Sequence, residues 1–270
     1  MRHPCQENHH AQPPSWPAAV ALAGALALPV VAVAAEAAPA AAPAPFTGNL
    51  TLASEYIYRG IGQTNRQPAV QGGFDYAHAS GLYIGVWGSN ISWLSDLPGD
   101  IGSSIEIDVW RLRGGFGGDV SYDLGVLRYN YPGSYPHGFV DADTTEVYAG
   151  LGWQWLSAKY SHTVSKHIFG WFGDNGEKTR GSGYLELNAT FDLGDGWGLT
   201  GHAGRQRIKH FSDASYTDWK IGVTKDVGVG TIGLAYVDTN ADGGAGEPYR
   251  NAHNKDLGKA RLLLTFGKTY

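Results

Sequence analysis

The sequence is almost free of sulfur-containing residues. The chain has 270 residues with one Cys and one Met. Cys5 precedes an apolar run that we expect to be removed, so the mature chain would contain no thiol. This excludes disulfides, thiolate metal ligands and cysteine nucleophiles, and it fits an exported bacterial protein.

The chain also lacks a basic excess and, beyond Pro45, any continuous apolar stretch. Its formal net charge is −5, with 25 acidic residues against 20 Lys and Arg. A nucleic-acid-binding surface needs a basic stripe, so nucleic acid is not an expected partner. A membrane-spanning helix needs about 20 apolar residues. If the mature chain lies in a membrane, it must therefore cross with strands.

The N-terminal region carries an export signal. The run Ala18–Ala35 is rich in Ala, Val and Leu and ends in an A-x-A pattern at Ala32–Ala34, which predicts cleavage near this point. We predict a signal peptide over 1–34, an Ala/Pro-rich linker over 35–46, and one domain over 47–270. An uncleaved membrane anchor is the alternative, and the weakly basic N-terminus leaves the true start codon open.

After residue 46 the apolar residues recur with period two. A clear example lies near residue 190, where the apolar residues alternate with Tyr184, Glu186, Asn188 and Thr190: Leu185, Leu187, Ala189, Phe191 and Leu193. This pattern predicts strands with one apolar face. Either a soluble sandwich points that face at its core, or a transmembrane barrel points it at lipid.

The lengths of the connections favour the barrel. The pattern predicts about twelve strands, near the ~9–11 residues that a tilted barrel strand needs. They are expected at 47–58, 69–78, 82–93, 104–113, 120–131, 144–153, 156–166, 183–193, 197–208, 216–226, 231–239 and 259–270. The connections between them alternate between short and long, as do the periplasmic turns and outer loops of outer-membrane barrels. The predicted fold class is all-β, an antiparallel transmembrane β-barrel.

Aromatic residues and the C-terminus support this prediction. Aromatic side chains near the predicted strand ends suggest girdles at the membrane interfaces: Tyr56, Tyr58, Trp87, Trp93, Trp110, Tyr129, Tyr131, Trp153, Trp155 and Trp197. The last strand ends at Tyr270, with Leu262, Leu264 and Phe266 on the same face. This strand is the expected contact with the barrel-assembly machinery.

Several segments resemble the TorF-like porin family, also called Gcw_chp. They are SEYIYRG (Ser54–Gly60), PAVQGGFDYAH (Pro68–His78), SGLYIGVWGSN (Ser80–Asn90), IEIDVW (Ile105–Trp110), DLGVLRYNYPG (Asp123–Gly133) and TEVYAGLGW (Thr145–Trp153). The resemblance extends from Asn49 to Tyr270 and is densest before Trp155. It implies a bacterial outer-membrane barrel with a transport function, and it supplies no catalytic or binding residues. The terminal Tyr departs from such barrels, which more often end in Phe.

If the apolar sets face lipid, the opposite faces line a lumen. The charged residues expected there are Glu55, Arg59, Asp75, Glu106, Asp108, Glu146, Lys159, Glu186, Asp218, Lys220 and Arg261. Acids outnumber bases in this set, which favours cations. Alternatively, these charges pair across the lumen and plug it. About 8 strands give a filled barrel and 16–18 a wide channel, so we expect a narrow pore.

Other motifs give no support for a metal site or a catalytic site. Asp238-x-Asn240-x-Asp242-Gly243 begins like a calcium loop, but Tyr249 occupies the twelfth position where a bidentate acid is needed, so we expect no metal. His162 lies near Ser161 on the presumed lipid face without an orienting acid, so we expect no catalysis. Arg128 lies in a predicted strand in which neither face is apolar throughout, so the pattern does not assign its side chain to the lipid or to the lumen.

The predicted function is passive or facilitated passage of small polar solutes or ions across the outer membrane. The expected partners are membrane lipid and those solutes, and no cofactor is expected. Three alternatives remain. They are a plugged structural or adhesive barrel that acts through its outer loops, a membrane-face lipid-modifying enzyme, and a soluble periplasmic sandwich.

Overall fold

The computed structural model describes residues 45–97, 101–117 and 120–270. The predicted signal peptide over 1–34 and nearly all of the linker lie outside these residues. The strands are β1 Phe46–Ala53, β2 Ile57–Tyr58, β3 Ile61–Gly62, β4 Ala69–Ala77, β5 Leu82–Asn90, β6 Ile105–Gly117, β7 Val120–Asn130, β8 Thr144–Trp153, β9 Leu156–Thr163, β10 Gly183–Gly194, β11 Trp197–Arg207, β12 Tyr216–Asp226, β13 Thr231–Thr239 and β14 Arg261–Thr269. Phe46, predicted as the end of the linker, opens β1.

Within the described residues, twelve of these strands close into one antiparallel barrel, and β2 and β3 form a separate small sheet. Strands β4 to β14 each pair with the next, and β1 pairs with both β4 and β14. The closing register runs from Asn49 opposite Thr269 to Ala53 opposite Thr265. Closure leaves no unpaired strand edge, which a sheet in a membrane requires. The predicted fold class is confirmed.

Short and long connections alternate as the sequence predicts. Short connections lie at 78–81, 154–155, 195–196 and 227–230, and long ones at 54–68, 91–104, 131–143, 164–182, 208–215 and 240–260. Because consecutive strands are antiparallel, the long connections gather at one end of the barrel, the loop end. The short ones gather at the other, the turn end. The start of β1 and the last residue, Tyr270, lie at the turn end. There the backbone N–H of Gly48 donates to the carbonyl of Tyr270, and the N–H of Tyr270 donates to the carbonyl of Gly48.

The outer surface of the barrel is apolar all the way round. On β12, for example, Ile221 is 54% exposed, whereas Asp218 on the opposite face is 1% exposed. Comparable exposed residues lie around the barrel: Leu50, Val70, Ile84, Ile107, Val126, Leu151, Leu156, Leu187, Trp197, Leu234 and Leu264. An exposed apolar band of this extent is unfavourable in water, so the band contacts lipid and the barrel spans a membrane. The described residues include no helix long and apolar enough to cross a membrane.

The aromatic prediction was wrong for four tyrosines and two tryptophans, because Trp87 and Trp93 are half-buried and pack against Tyr56 and Tyr131. Trp153, Trp155 and Trp197 are exposed at the turn end, as an interfacial girdle requires. In contrast, the four tyrosines predicted for the girdle are buried inside the loop end: Tyr56, Tyr58, Tyr129 and Tyr131. The first predicted strand was expected to run to residue 58, but β1 ends at Ala53 and the chain then turns into the barrel.

Candidate functional site: the barrel interior

The first long connection, residues 54–68, folds into the barrel, and we call it the inward hairpin. Its strands β2 and β3 pair through Ile57 with Gly62 and Tyr58 with Ile61. The turn between them places Arg59 at φ 46° and Gly60 at φ 79°. A Cβ on Gly60 would lie 2.6 Å from Cβ of Asp218, so only glycine fits where the turn touches the wall.

Arg59 fixes the tip of the inward hairpin to the far wall. Its Nη2 atom lies 2.7 Å from Oε2 of Glu146 on β8, and its Nη1 atom donates to Oε1 of Gln206 on β11 at 2.8 Å. The guanidinium also lies 4.3 Å from the ring centroid of Tyr184 on β10. The side chains of Arg59 and Glu146 are 6% and 0% exposed. An ion pair this deeply buried is costly to break from one side, because the remaining charge is left without compensation.

A second ion pair holds the base of the inward hairpin. The Nη1 atom of Arg261 on β14 lies 3.0 Å from Oε2 of Glu55. Glu55 also accepts a hydrogen bond from the backbone N–H of Arg66 at 2.9 Å. Glu55 therefore links both arms of the hairpin to the wall beside β1.

Tyrosines fill the space between the hairpin and the wall. The hydroxyl of Tyr56 donates to Oε1 of Glu106 at 2.8 Å, and those of Tyr58 and Tyr129 are 2.7 Å apart. Burial, reinforced by the nearby carboxylates of Glu106 and Asp108, raises the pKa of Tyr56 well above its ordinary value. The phenol therefore stays protonated and can donate. The hairpin and these tyrosines together occupy part of the interior at the loop end.

A polar cavity of about 60 Å³ lies beneath Arg59. A water molecule needs roughly 10–15 Å³ of such space, so the cavity holds a few waters. Its polar lining comprises Tyr58, Arg59, Lys159, Tyr184, Glu186, Asn188, His202, Asp218 and Lys220.

Most charged groups in this lining are paired. Nζ of Lys159 lies 2.5 Å from Oε1 of Glu186, and Nε2 of His202 lies 2.9 Å from Oδ1 of Asp218. The hydroxyl of Tyr184 also donates to Oδ2 of Asp218 at 2.9 Å. Lys220 differs, because it forms no ion pair or hydrogen bond with any residue that the structure describes.

The inward side chains become smaller towards the turn end on one wall of the barrel. At the loop end of β8 and of β11 to β14 they are large: Glu146, Tyr148, Gln206, Tyr216, Asp218, Val237, Arg261 and Leu263. At the turn end they are small: Gly152, Gly198, Gly222, Thr224, Thr231, Gly233 and Gly267. The facing wall keeps larger groups, with Tyr83 donating to Asp123 at 3.1 Å. On these strands the large inward side chains are thus concentrated at the loop end.

With this geometry in view, the sequence places the chain in a family. A family model described as "Bacterial protein of unknown function (Gcw_chp)" matches residues 37–270. The chain belongs to the Gcw_chp family. No protein among those with curated annotation matches it.

Solved structures similar to this Gcw_chp chain are outer-membrane barrels. A "KdgM porin" is 8% identical, with 83% of this chain and 98% of that chain covered and a TM-score of 0.49. A NanC porin is 9% identical, with the same coverages and a TM-score of 0.49. The COG4313 outer membrane channel from Pseudomonas putida F1 is 12% identical, with 87% and 100% covered and a TM-score of 0.48.

The structure of this Gcw_chp chain places the predicted charged set as follows. Eight side chains are buried: Glu55, Arg59, Glu106, Asp108, Glu146, Lys159, Glu186 and Asp218. Asp75, Lys220 and Arg261 are half-buried. Three ion pairs form within the set, Arg59 with Glu146, Lys159 with Glu186, and Arg261 with Glu55. Glu55 and Arg59 lie on the inward hairpin, where strands had been expected.

The remaining members of the set lie in different surroundings. Glu106 belongs to the tyrosine layer, and Asp108 contributes to the electrostatic surroundings of Tyr56. Asp75 lies beside Gly85, where a Cβ would meet its Oδ1 atom. Asp218 and Lys220 line the cavity. The set therefore divides between the hairpin contacts, the tyrosine layer and the cavity.

Sequence reasoning left several interior residues of this Gcw_chp barrel out of the expected lumen set. Tyr184 and Asn188 lie on the polar face that the alternation of β10 predicts, but that set contained only charged residues, and His202 on β11 was missed altogether. Asp123 is buried and accepts from Tyr148 at 3.1 Å. It lies on β7, where Arg128 obscured the alternation. Arg128 in fact faces outward and pairs with Asp143 at 2.6 Å.

Proposed function

We propose that this protein is an outer-membrane channel for small polar solutes or ions, closed at the loop end in the conformation described here and opened by displacement of the inward hairpin. One observation carries the proposal. The large buried groups cluster at the loop end around a hairpin that is not part of the barrel wall, and much of the wall beyond it is lined by small residues. Moving one connection would therefore open a path without breaking the barrel.

The interior is suited to polar cargo. Charged and hydroxyl groups replace part of the hydration shell of a solute that passes through a pore. The half-buried state of Thr200, His202 and Lys220 on β11 and β12 supports access of water to the middle of the interior. A twelve-stranded barrel lies between the filled and the wide-channel sizes, which supports a narrow path.

We further propose a preference for cations. Each of the three ion pairs in the predicted interior set removes one acid and one base, so the acidic excess of that set persists. A negative potential along a narrow path concentrates cations. The reversal potential in a KCl gradient measures this preference, and a potential that favours chloride would refute it.

The experiment that tests the channel is current recording from the folded barrel in planar bilayers. We expect discrete steps, rare in the native protein and more frequent once the hairpin is loosened by Arg59→Met. Folded barrels that stay silent with both sequences would contradict the proposal.

A plugged barrel that acts through its loops is the second candidate. Its support is a buried cluster formed largely by the long connections, in which Trp171 packs against Phe211 and Tyr249 with ring centroids 5.5 Å away in each case. Silence of the hairpin-loosened barrel would favour this candidate. An enzyme at the membrane face has less support, because no carboxylate among the described residues contacts His162, whose Nδ1 atom lies 3.3 Å from the Tyr160 hydroxyl.

We propose that the outer membrane is the location, with lipid around the apolar band and assembly machinery recognising β14. The terminal Tyr270 is 70% exposed, so it is accessible to such a partner. Separation of inner and outer membranes on a density gradient tests the location, and recovery in the inner-membrane or soluble fraction would exclude it.

A further inference from the structure

We infer that Lys220 forms a binding subsite for the carboxylate of a small solute, inside the cavity beneath the inward hairpin. This inference rests on the proposed channel function, since it names the class of solute that the channel would hold at this point. Binding of a solute at Lys220 can nevertheless be measured whether or not the barrel conducts current.

Three cations line the cavity, and two of them are engaged by other side chains. Arg59 is engaged by Glu146 and Gln206, and Lys159 by Glu186. Lys220 faces the same cavity, but none of the described residues forms an ion pair or hydrogen bond with it. An ammonium group carries three donors, so this site offers unused hydrogen-bonding capacity together with a positive charge.

The two acids of the cavity lining already have partners other than Lys220. Oδ1 of Asp218 is approached by His202 at 2.9 Å, and Oδ2 accepts from Tyr184 at 2.9 Å. Glu186 is held by Lys159. Both acids in the lining thus have other partners, and the cations Arg59 and Lys159 are each matched by an acid, Glu146 and Glu186. Lys220 is therefore the cation of the described lining that remains for a solute.

The size and the lining of the cavity limit the class of ligand that it can hold. A space of about 60 Å³ admits a ligand of only a few heavy atoms. A single free ammonium matches a monoanion, and a charge-assisted hydrogen bond to a carboxylate is stronger than one to a neutral group. Asn188 lines the same cavity, and its side-chain amide has a further hydrogen-bonding position for a hydroxyl of the same solute. A short hydroxycarboxylic acid fits these features.

Small side chains on β12 leave Lys220 accessible from the turn end. On β12 the inward positions beyond Lys220 towards the turn end are Gly222 and Thr224. On the loop-end side, Gly60 of the hairpin touches Asp218. A solute therefore reaches Lys220 from the turn end and is stopped there by the hairpin.

The test is calorimetric titration of the folded barrel in detergent with sodium lactate, and with lactamide as the uncharged probe. We expect lactate to bind and lactamide not to bind. Lys220→Gln should weaken lactate binding about tenfold or more, the usual loss for a hydrogen bond to a charged group. Lys220→Arg should retain binding. Lys225→Gln is the matched control, because Lys225 lies on the same strand and points outward, where its Nζ atom donates to the carbonyl of Asp195.

Current recordings on the same samples separate the two proposals. Equal affinities of the native barrel and Lys220→Gln, equal binding of lactate and lactamide, or no lactate binding would overturn the subsite, even if the barrel conducts KCl. A barrel that binds lactate through Lys220 but passes no current in any variant would refute the channel and leave the subsite standing.

Discussion

Replacing Arg59 by Met should release the inward hairpin while leaving the barrel wall closed. The substitution removes the only charge that the structure shows bonded to Glu146 among the described residues, and the Glu146 side chain is 0% exposed. Removing one partner of a buried ion pair costs about 3–5 kcal/mol. Tyr184 would also lose its contact with the guanidinium, a term of up to about 2 kcal/mol when desolvated.

The lost free energy should lower the free energy of local opening of the hairpin and leave the barrel wall intact, because the hairpin lies outside the hydrogen-bond ladder of the barrel. Since each 1.4 kcal/mol is about a factor of ten, a loss of about 3–5 kcal/mol increases the open population roughly 10²- to 10³-fold or more. Hydrogen exchange reports this directly at the amides of Gly62 and Gln63, which donate to the carbonyls of Leu257 and Tyr56.

A double-mutant cycle isolates the pair. Glu146→Gln alone should also loosen the hairpin, whereas the combination with Arg59→Met should be less damaging than the sum, because no charge is left buried. We expect a coupling of about 1–3 kcal/mol from the exchange rates. Arg128→Met is the matched control, since its pair with Asp143 is 41% and 26% exposed and should contribute no more than about 1 kcal/mol. Unchanged amide exchange in Arg59→Met would refute the assignment of this residue as the anchor.

Three further outcomes are expected. Gly60→Ala should displace the hairpin tip, because φ is 79° and the added Cβ would meet Thr239 and Asp218; faster exchange at Gly62 is the readout, and native exchange would contradict the packing. Ile221→Arg should destabilise the barrel by about 2–4 kcal/mol in urea titrations in vesicles if this exposed position lies near the bilayer midplane, whereas no effect would place it outside lipid. Deleting Tyr270 should lower the yield of heat-modifiable folded barrel in cells, and an unchanged yield would remove the terminal residue from assembly.

The sequence was enough to predict the barrel, because period-two alternation and connection lengths are local properties. Strands expected at 144–153 and 216–226 have those bounds in the structure. The inward hairpin was not predicted, since alternation continues past Ala53 into the buried Glu55 and Ile57 as though one strand ran on. The inward turn depends on contacts with distant residues, such as that of Arg59 with Glu146, which is 87 positions further along the chain. A local sequence pattern cannot predict such contacts.

The interior was predicted in part for a similar reason. Strand parity decides which face a side chain occupies, and it directed Lys159, Glu186 and Lys220 inward. Which charges meet depends on how adjacent strands are staggered, as where Glu186 lies opposite Lys159 in the register of β10 and β9. Neither that stagger nor the unpaired state of Lys220 can be read from one strand alone.

The most direct measurement is single-channel current through the native barrel and Arg59→Met, reconstituted separately in planar bilayers with a KCl gradient. We expect rare openings in the native protein, frequent or sustained openings in the variant, and a reversal potential that favours potassium in both. Folded barrels that carry no current with either sequence would contradict a channel closed by the inward hairpin.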